Sequence, residues 1–185
     1  MAMRTGLVLA AALMMSVNTA SASSPKEIYD WTAKLQGDWK LAPADMQVGG
    51  ATKKGPAAKM LGTDQTAMKF HVTGRGSAVQ EILLPGTKKE MMTMYHCYDK
   101  TCSWVKATHY CAKKNQPEFK SNVKSSSAQK IAFDCDMNTE LCNSDDGHVH
   151  GIEHEFLEND VLQTTYTIWE NGFEQKKSIY RFVKK

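Results

Sequence analysis

Residues 91–111, Met-Met-Thr-Met-Tyr-His-Cys-Tyr-Asp-Lys-Thr-Cys-Ser-Trp-Val-Lys-Ala-Thr-His-Tyr-Cys, constrain the fold more than any other stretch. Two runs rich in β-branched, aromatic and thioether side chains flank Asp99-Lys100, which predicts a β-hairpin turning at that pair. Cys97 and Cys102 bracket the turn. A disulfide between them would pin the strand register, and register decides which side chains face inward. With Cys97 opposite Cys102, Met94 faces Val105, Met92 faces Ala107 and Glu90 faces His109.

The rest of the chain continues in the same idiom. Ser24, Pro25 and the spacing of Ile28, Trp31 and Leu35 predict a short helix over 25–36, ended by Gly37. A first strand follows at 37–41, then a Gly-, Ala-, Pro- and Lys-rich loop over 42–62 with no apolar period, expected to lie mobile over one end of the fold. Strands are expected at 65–73, 76–84, 88–97, 102–110, 130–135, 148–158, 161–170 and 174–183. Gly74-Arg75, Pro85-Gly86, Asn159-Asp160 and Asn171-Gly172 serve as turns, the last being the strongest hairpin signal. Residues 113–120 break the run, and 121–127 read as a weak edge strand. The expected fold is all-β, an antiparallel barrel of about nine or ten strands after one short helix, closed to remove its sheet edges and wide enough to hold a ligand.

Residues 1–22 have the form of a secretory signal: Arg4, an apolar core over 6–17, and Ala20-Ser21-Ala22 as the cleavage site. The mature domain would be 23–185, periplasmic or secreted. The signal's apolar core is too short to span a bilayer, and no later segment is apolar enough to do so. The formal charge of +3 leaves no footprint for nucleic acid. Export makes disulfides the expected state of the cysteines, with Cys97–Cys102 and Cys135–Cys142 favoured as short loops, although spacing alone does not prove connectivity. Cys111 is left over, either as a buried inert thiol or as a reactive or metal-binding one.

Gly37-Asp-Trp39 after a short helix, with Arg181 in the last strand, resembles the calycin superfamily of lipocalins, fatty-acid-binding proteins and nitrobindins. In those barrels a Gly-x-Trp opens the first strand, and the resemblance implies a structural role for Gly37, Trp39 and Arg181, the arginine packing on the indole. Met-Thr-Met-Tyr-His, Thr-His-Tyr-Cys, Asn-Gln-Pro and Gly-His-x-His together resemble exported bacterial proteins with a lipocalin-like domain of unknown function, which implies fold and export but no activity. Haem is disfavoured. Nitrobindins carry an extended glycine motif after the tryptophan where this chain has Lys40-Leu41-Ala42, and their haem-binding histidine falls later than His154, the last one here.

The assumed register places Glu81 beside both Met68 and Glu90. One face of the four-stranded patch then carries Met68, Phe70, Val72, Val79, Leu83, Met92, Met94, Val105 and Ala107. The opposite face carries Tyr95 and Trp104 among polar residues. On the apolar, inward face sits a polar row of Glu81, Glu90, His109 and Cys111. His148 and His150 share a strand face with Ile152 and Phe156. His96 and His154 read as structural. Buried carboxylates need a partner or a cation. The row therefore fits a ligand site of Glu81, Glu90, His109, Cys111 and His150, or a first-row metal such as zinc on His109, His148, His150 and Glu90. It equally fits a satisfied polar network. The leading expectation is a binding protein for a small molecule or metal ion. The alternatives are a hydrolase or isomerase using the same Glu/His cluster, and a packed envelope protein without a ligand.

Overall fold

The computed structural model describes residues 24–185; the expected signal segment lies outside them. Helix α1 (Pro25–Lys34) opens with a capping box in which Ser24 Oγ accepts from the Glu27 N–H and Glu27 returns a bond to the Ser24 N–H. Its apolar stripe of Ile28, Trp31 and Leu35 is buried. Ten strands follow: β1 (Gly37–Leu41), β2 (Met68–Thr73), β3 (Ala78–Leu83), β4 (Met91–Cys97), β5 (Val105–Tyr110), β6 (Glu118–Ser121), β7 (Lys130–Cys135), β8 (His148–Phe156), β9 (Leu162–Glu170) and β10 (Phe173–Lys184). Each pairs antiparallel with its sequence neighbours, and β1 closes the barrel between β10 and β2. The expected all-β antiparallel barrel is therefore the fold observed.

Helix α1 covers one end. The Tyr29 hydroxyl donates to Gly76 O in the β2–β3 turn, and the Trp31 indole donates to Ala128 O in the β6–β7 connection. Trp39 is buried and donates its indole N–H to Leu35 O at 2.8 Å, tying helix to barrel. Its cationic neighbour is Lys184, 5.4 Å from the ring centroid, in place of the expected Arg181. Strand pairing explains the exchange: Trp39 lies opposite Lys184, whereas Arg181 lies opposite Gln163 and bonds Gln163 Oε1 and Met46 O.

Three local expectations are corrected. The 42–62 segment contains a helical turn, α2 (Pro56–Met60), whose Ala57 and Met60 are buried against the core. The break expected over 113–120 ends early, since 118–121 form β6, while the weak edge expected over 121–127 is irregular beyond Ser121. The disulfide Cys97–Cys102 is formed, as is Cys135–Cys142, but the first does not join ladder partners. Cys102 lies inside a wide loop organised by Asp99, which accepts from the backbone and hydroxyls of Thr101 and Ser103; these bonds hold its carboxyl down to about 2. Cys97 instead pairs with Val105, three residues further on.

An odd slip turns a strand over. Thr93 and Tyr95 therefore face inward and are fully buried, while Met92 and Met94 are only half-buried. The β3–β4 connection is likewise longer than a two-residue turn, so Glu81 pairs with Thr93 and not with Glu90. Between β2 and β3 the slip is even: Phe70, not Met68, lies opposite Glu81, and the inward face is kept. Asn171-Gly172 is the two-residue turn expected, both residues having positive φ (57° and 79°), as a type I′ hairpin requires.

Ile28 is fully buried between helix and barrel. Ile28→Ala is expected to cost about 3 kcal/mol through lost transfer energy and a residual cavity, read as a lower denaturant midpoint at unchanged m-value.

Candidate functional site

The centre of the barrel holds a polar network inside an aromatic core. Glu81 on β3 is 1% exposed, and Tyr95, Tyr166 and His154 from β4, β9 and β8 converge on it. The Tyr166 hydroxyl donates to Oε1, and the Tyr95 hydroxyl donates to Oε2 at 2.5 Å. His154 Nε2 lies 3.2 Å from the same Oε2 and 3.1 Å from the Tyr95 oxygen. Tyr95 has spent its only hydrogen on Glu81, so its oxygen can only accept, and His154 must carry a hydrogen on Nε2. His154 Nδ1 is held by Thr164 Oγ1 at 3.0 Å.

This environment sets the titration of each group. Burial pushes the Glu81 carboxyl up, but the hydrogen bond and charge of His154, with the bonds from Tyr166 and Tyr95, outweigh it and hold the carboxyl below its usual value of 4.5. Burial, reinforced by the Glu81 charge, drives Tyr95 and Tyr166 well above 10. The carboxylate therefore stays ionised and the phenols stay protonated as donors.

Beyond this network, at the end opposite α1, the barrel opens into a cavity of about 340 Å³. Met91, Val149 and Ile168 give it apolar walls. His109, Tyr166 and Tyr180 supply buried polar groups, Cys111 contributes a half-buried free thiol, and exposed Lys89, Lys113 and Lys176 stand at its rim. His109 is 1% exposed, its Nδ1 lies 2.9 Å from Thr93 Oγ1, and its Nε2 is buried with no hydrogen-bond partner. Desolvation holds the ring below 6.5 against the opposing pull of Glu81, so the neutral form is favoured. Tyr166 connects the two regions: its ring lines the cavity while its hydroxyl is fixed on Glu81.

The sequence-expected site residues separate into groups. His109 and Cys111 line the cavity, and Glu81 stands behind Tyr166. Glu90 is exposed in the β3–β4 loop and accepts from the Gly86 N–H, so the expected row of Glu81, Glu90 and His109 does not form. His148 lines the cavity and contacts His150, whose ring stacks on Trp169 at 3.8 Å. The expected metal set of His109, His148, His150 and Glu90 is not gathered. Among the described residues the compact group of ligand atoms is Cys135, His148 and His150.

His154, expected to be structural, is part of this network, whereas Tyr95 and Tyr166 are not foreseen in it from the sequence. A Cys97–Cys102 register puts Tyr95 outward, whereas its pairing with Ala107 turns it inward. His154 shares strand parity with Ile152 and Phe156, a signal that pointed inward, and Tyr166 shares parity with Leu162 and Thr164. No family model, curated protein or solved structure matches the chain.

Because native Glu81 ionises more readily than an unfolded glutamate, its contribution to stability is complete above pH 4.5 and drains as pH falls through the lower native value. Glu81→Gln, which turns an amide hydrogen toward committed donors, is expected to cost about 1–3 kcal/mol at neutral pH. It is also expected to flatten the acid limb of a stability–pH profile measured by denaturant titration.

Proposed function

We propose that this chain is an exported, calycin-like binding protein that takes a small, largely apolar molecule bearing an acidic or hydrogen-bonding group into the open end of its barrel. The observation that carries the reading is His109 Nε2, a buried polar atom without a partner in a ring that lines the cavity. Such an atom costs about 1–3 kcal/mol unless something meets it. A bound ligand presenting a donor or acceptor would remove that cost. The volume lies at the lower end of the small-molecule range, the walls are apolar and polar groups are few, which is the usual make-up of a binding site. The three rim lysines favour an anionic group at the mouth. Two disulfides agree with an oxidising compartment.

Binding is favoured over acid–base catalysis by the state of Glu81. Both its oxygens are engaged by donors fixed in the barrel, and it does not reach the cavity wall, so it has no free position from which to move a ligand proton. It acts as the anchor that orients Tyr166.

Anilinonaphthalene sulfonate, an apolar anion, serves as a probe. It is expected to bind the folded protein with one-to-one stoichiometry and lose binding in Ile168→Trp, which fills the cavity. His109→Leu is expected to weaken binding about threefold to tenfold, the scale of one hydrogen bond. Undiminished binding to a folded Ile168→Trp variant, or none to the parent, would contradict the reading.

A further inference from the structure

We propose that Cys135, His148 and His150 form a redox-gated site for a zinc-like divalent cation, closed while the Cys135–Cys142 disulfide stands and opened by a dithiol reductant. Cys135 ends β7 and His148 begins the neighbouring β8. A β-bulge between Val149 and Gly151 breaks the alternation of β8 at His150. The two rings meet there, His148 Nε2 lying 2.9 Å from His150 Nδ1. With Cys135 Sγ, the three ligand atoms lie within 4.8 Å of one another. Ligands on a tetrahedral zinc stand about 3.3–3.7 Å apart, given Zn–N near 2.0–2.1 Å and Zn–S near 2.3 Å. Changes of up to about 1.5 Å in these separations bring them there.

The surroundings already orient His148 as a ligand and fix the plane of His150. His148 Nδ1 lies 2.6 Å from Asp146 O. A carbonyl only accepts, so Nδ1 carries the hydrogen, and in the neutral ring Nε2 is a bare lone pair directed at the site. A backbone carbonyl behind a histidine is a recurrent outer-sphere arrangement at metal centres. Trp169 stacks on His150 at an interplanar angle of 10° and fixes its plane. Because His148 also lines the cavity, an ion has a route in, and water can take the fourth coordination position.

Sulfur is the gate. In the disulfide, Cys135 offers no thiolate, and two imidazoles alone make a weak chelate. A dithiol supplies two electrons and two protons: the Cys135–Cys142 bond breaks to two thiols and the reductant closes to its own disulfide. Metal binding then displaces the Cys135 thiol proton to solvent, and the His150 hydrogen moves from Nδ1 to Nε2. The result is one thiolate and two imidazoles, a donor set suited to zinc.

The test uses the full protein carrying Cys111→Ser, which removes the cavity thiol, with Zn²⁺ titrated calorimetrically and Co²⁺ as a spectroscopic reporter. Cys142→Ser leaves Cys135 as a free thiol without reductant. It is expected to bind Zn²⁺ at least about a hundredfold more tightly than the oxidised parent, the upper end of what outer-sphere partners alone contribute. Its Co²⁺ complex is expected to show a thiolate charge-transfer band. The parent reduced with a dithiol, then desalted anaerobically, is expected to match it, which keeps the test available should Cys142→Ser fail to fold. Adding Cys135→Ser, or His148→Ala with His150→Ala, is expected to abolish the gain. Equal affinity of oxidised and reduced protein, or tight binding that survives Cys135→Ser, would overturn the proposal.

Discussion

A carboxylate in the middle of an apolar barrel is tolerable only when its charge is answered on every side, and Glu81 is answered from three other strands. Tyr95 reaches it from the adjacent β4, while His154 and Tyr166 cross from β8 and β9. His154 lies 73 residues and Tyr166 85 residues along the chain from Glu81. Removing any one donor leaves a buried acceptor under-satisfied, which is costlier than the bond itself is favourable. The network thus specifies how the two walls face each other and not merely that they touch.

It also divides the interior. Toward α1, His154 packs edge-on against Phe70 and Tyr95 tilts onto Phe133, so that side is filled. Toward the other end, Tyr166 forms part of the cavity wall, and the side chains beyond it enclose open space. Helix α1, Trp39 and the Cys97–Cys102 loop stabilise the filled end; the Cys135–Cys142 bridge, the histidine pair and the rim lysines belong to the open one. A filled half and an open half arise from one strand meander because alternate turns fall at opposite ends.

Most of the architecture was legible in the sequence because it depends on local signals. Ser24-Pro25 and the Ile28, Trp31, Leu35 spacing specify α1, Asn171-Gly172 specifies its hairpin, and strand alternation specifies the barrel. The site was less legible because it depends on loop length, which is not written in the strands. Asp99 gathers Thr101 and Ser103 into a wide loop, so a correctly paired disulfide still gave the wrong register. That odd slip, matched by another between β3 and β4, exchanged Met94 for Tyr95 on the inner face. The bulge at His150 is a second such case, since alternation alone puts His148 and His150 in one row without bringing their rings into contact. Glu81 and His109 survived both errors because their own strands kept the correct face.

The central claim is that Glu81 is an ionised carboxylate held by three donors. Carbon-13 labelling of glutamate with carboxyl-detected NMR titration measures this directly. The account predicts a buried carboxyl resonance, assigned by its loss in Glu81→Gln, that remains in the ionised range at neutral pH and protonates only below the ordinary 4.5. A Glu81 resonance in the protonated range at neutral pH would show that desolvation wins, and the proposed organisation of the barrel interior would be wrong.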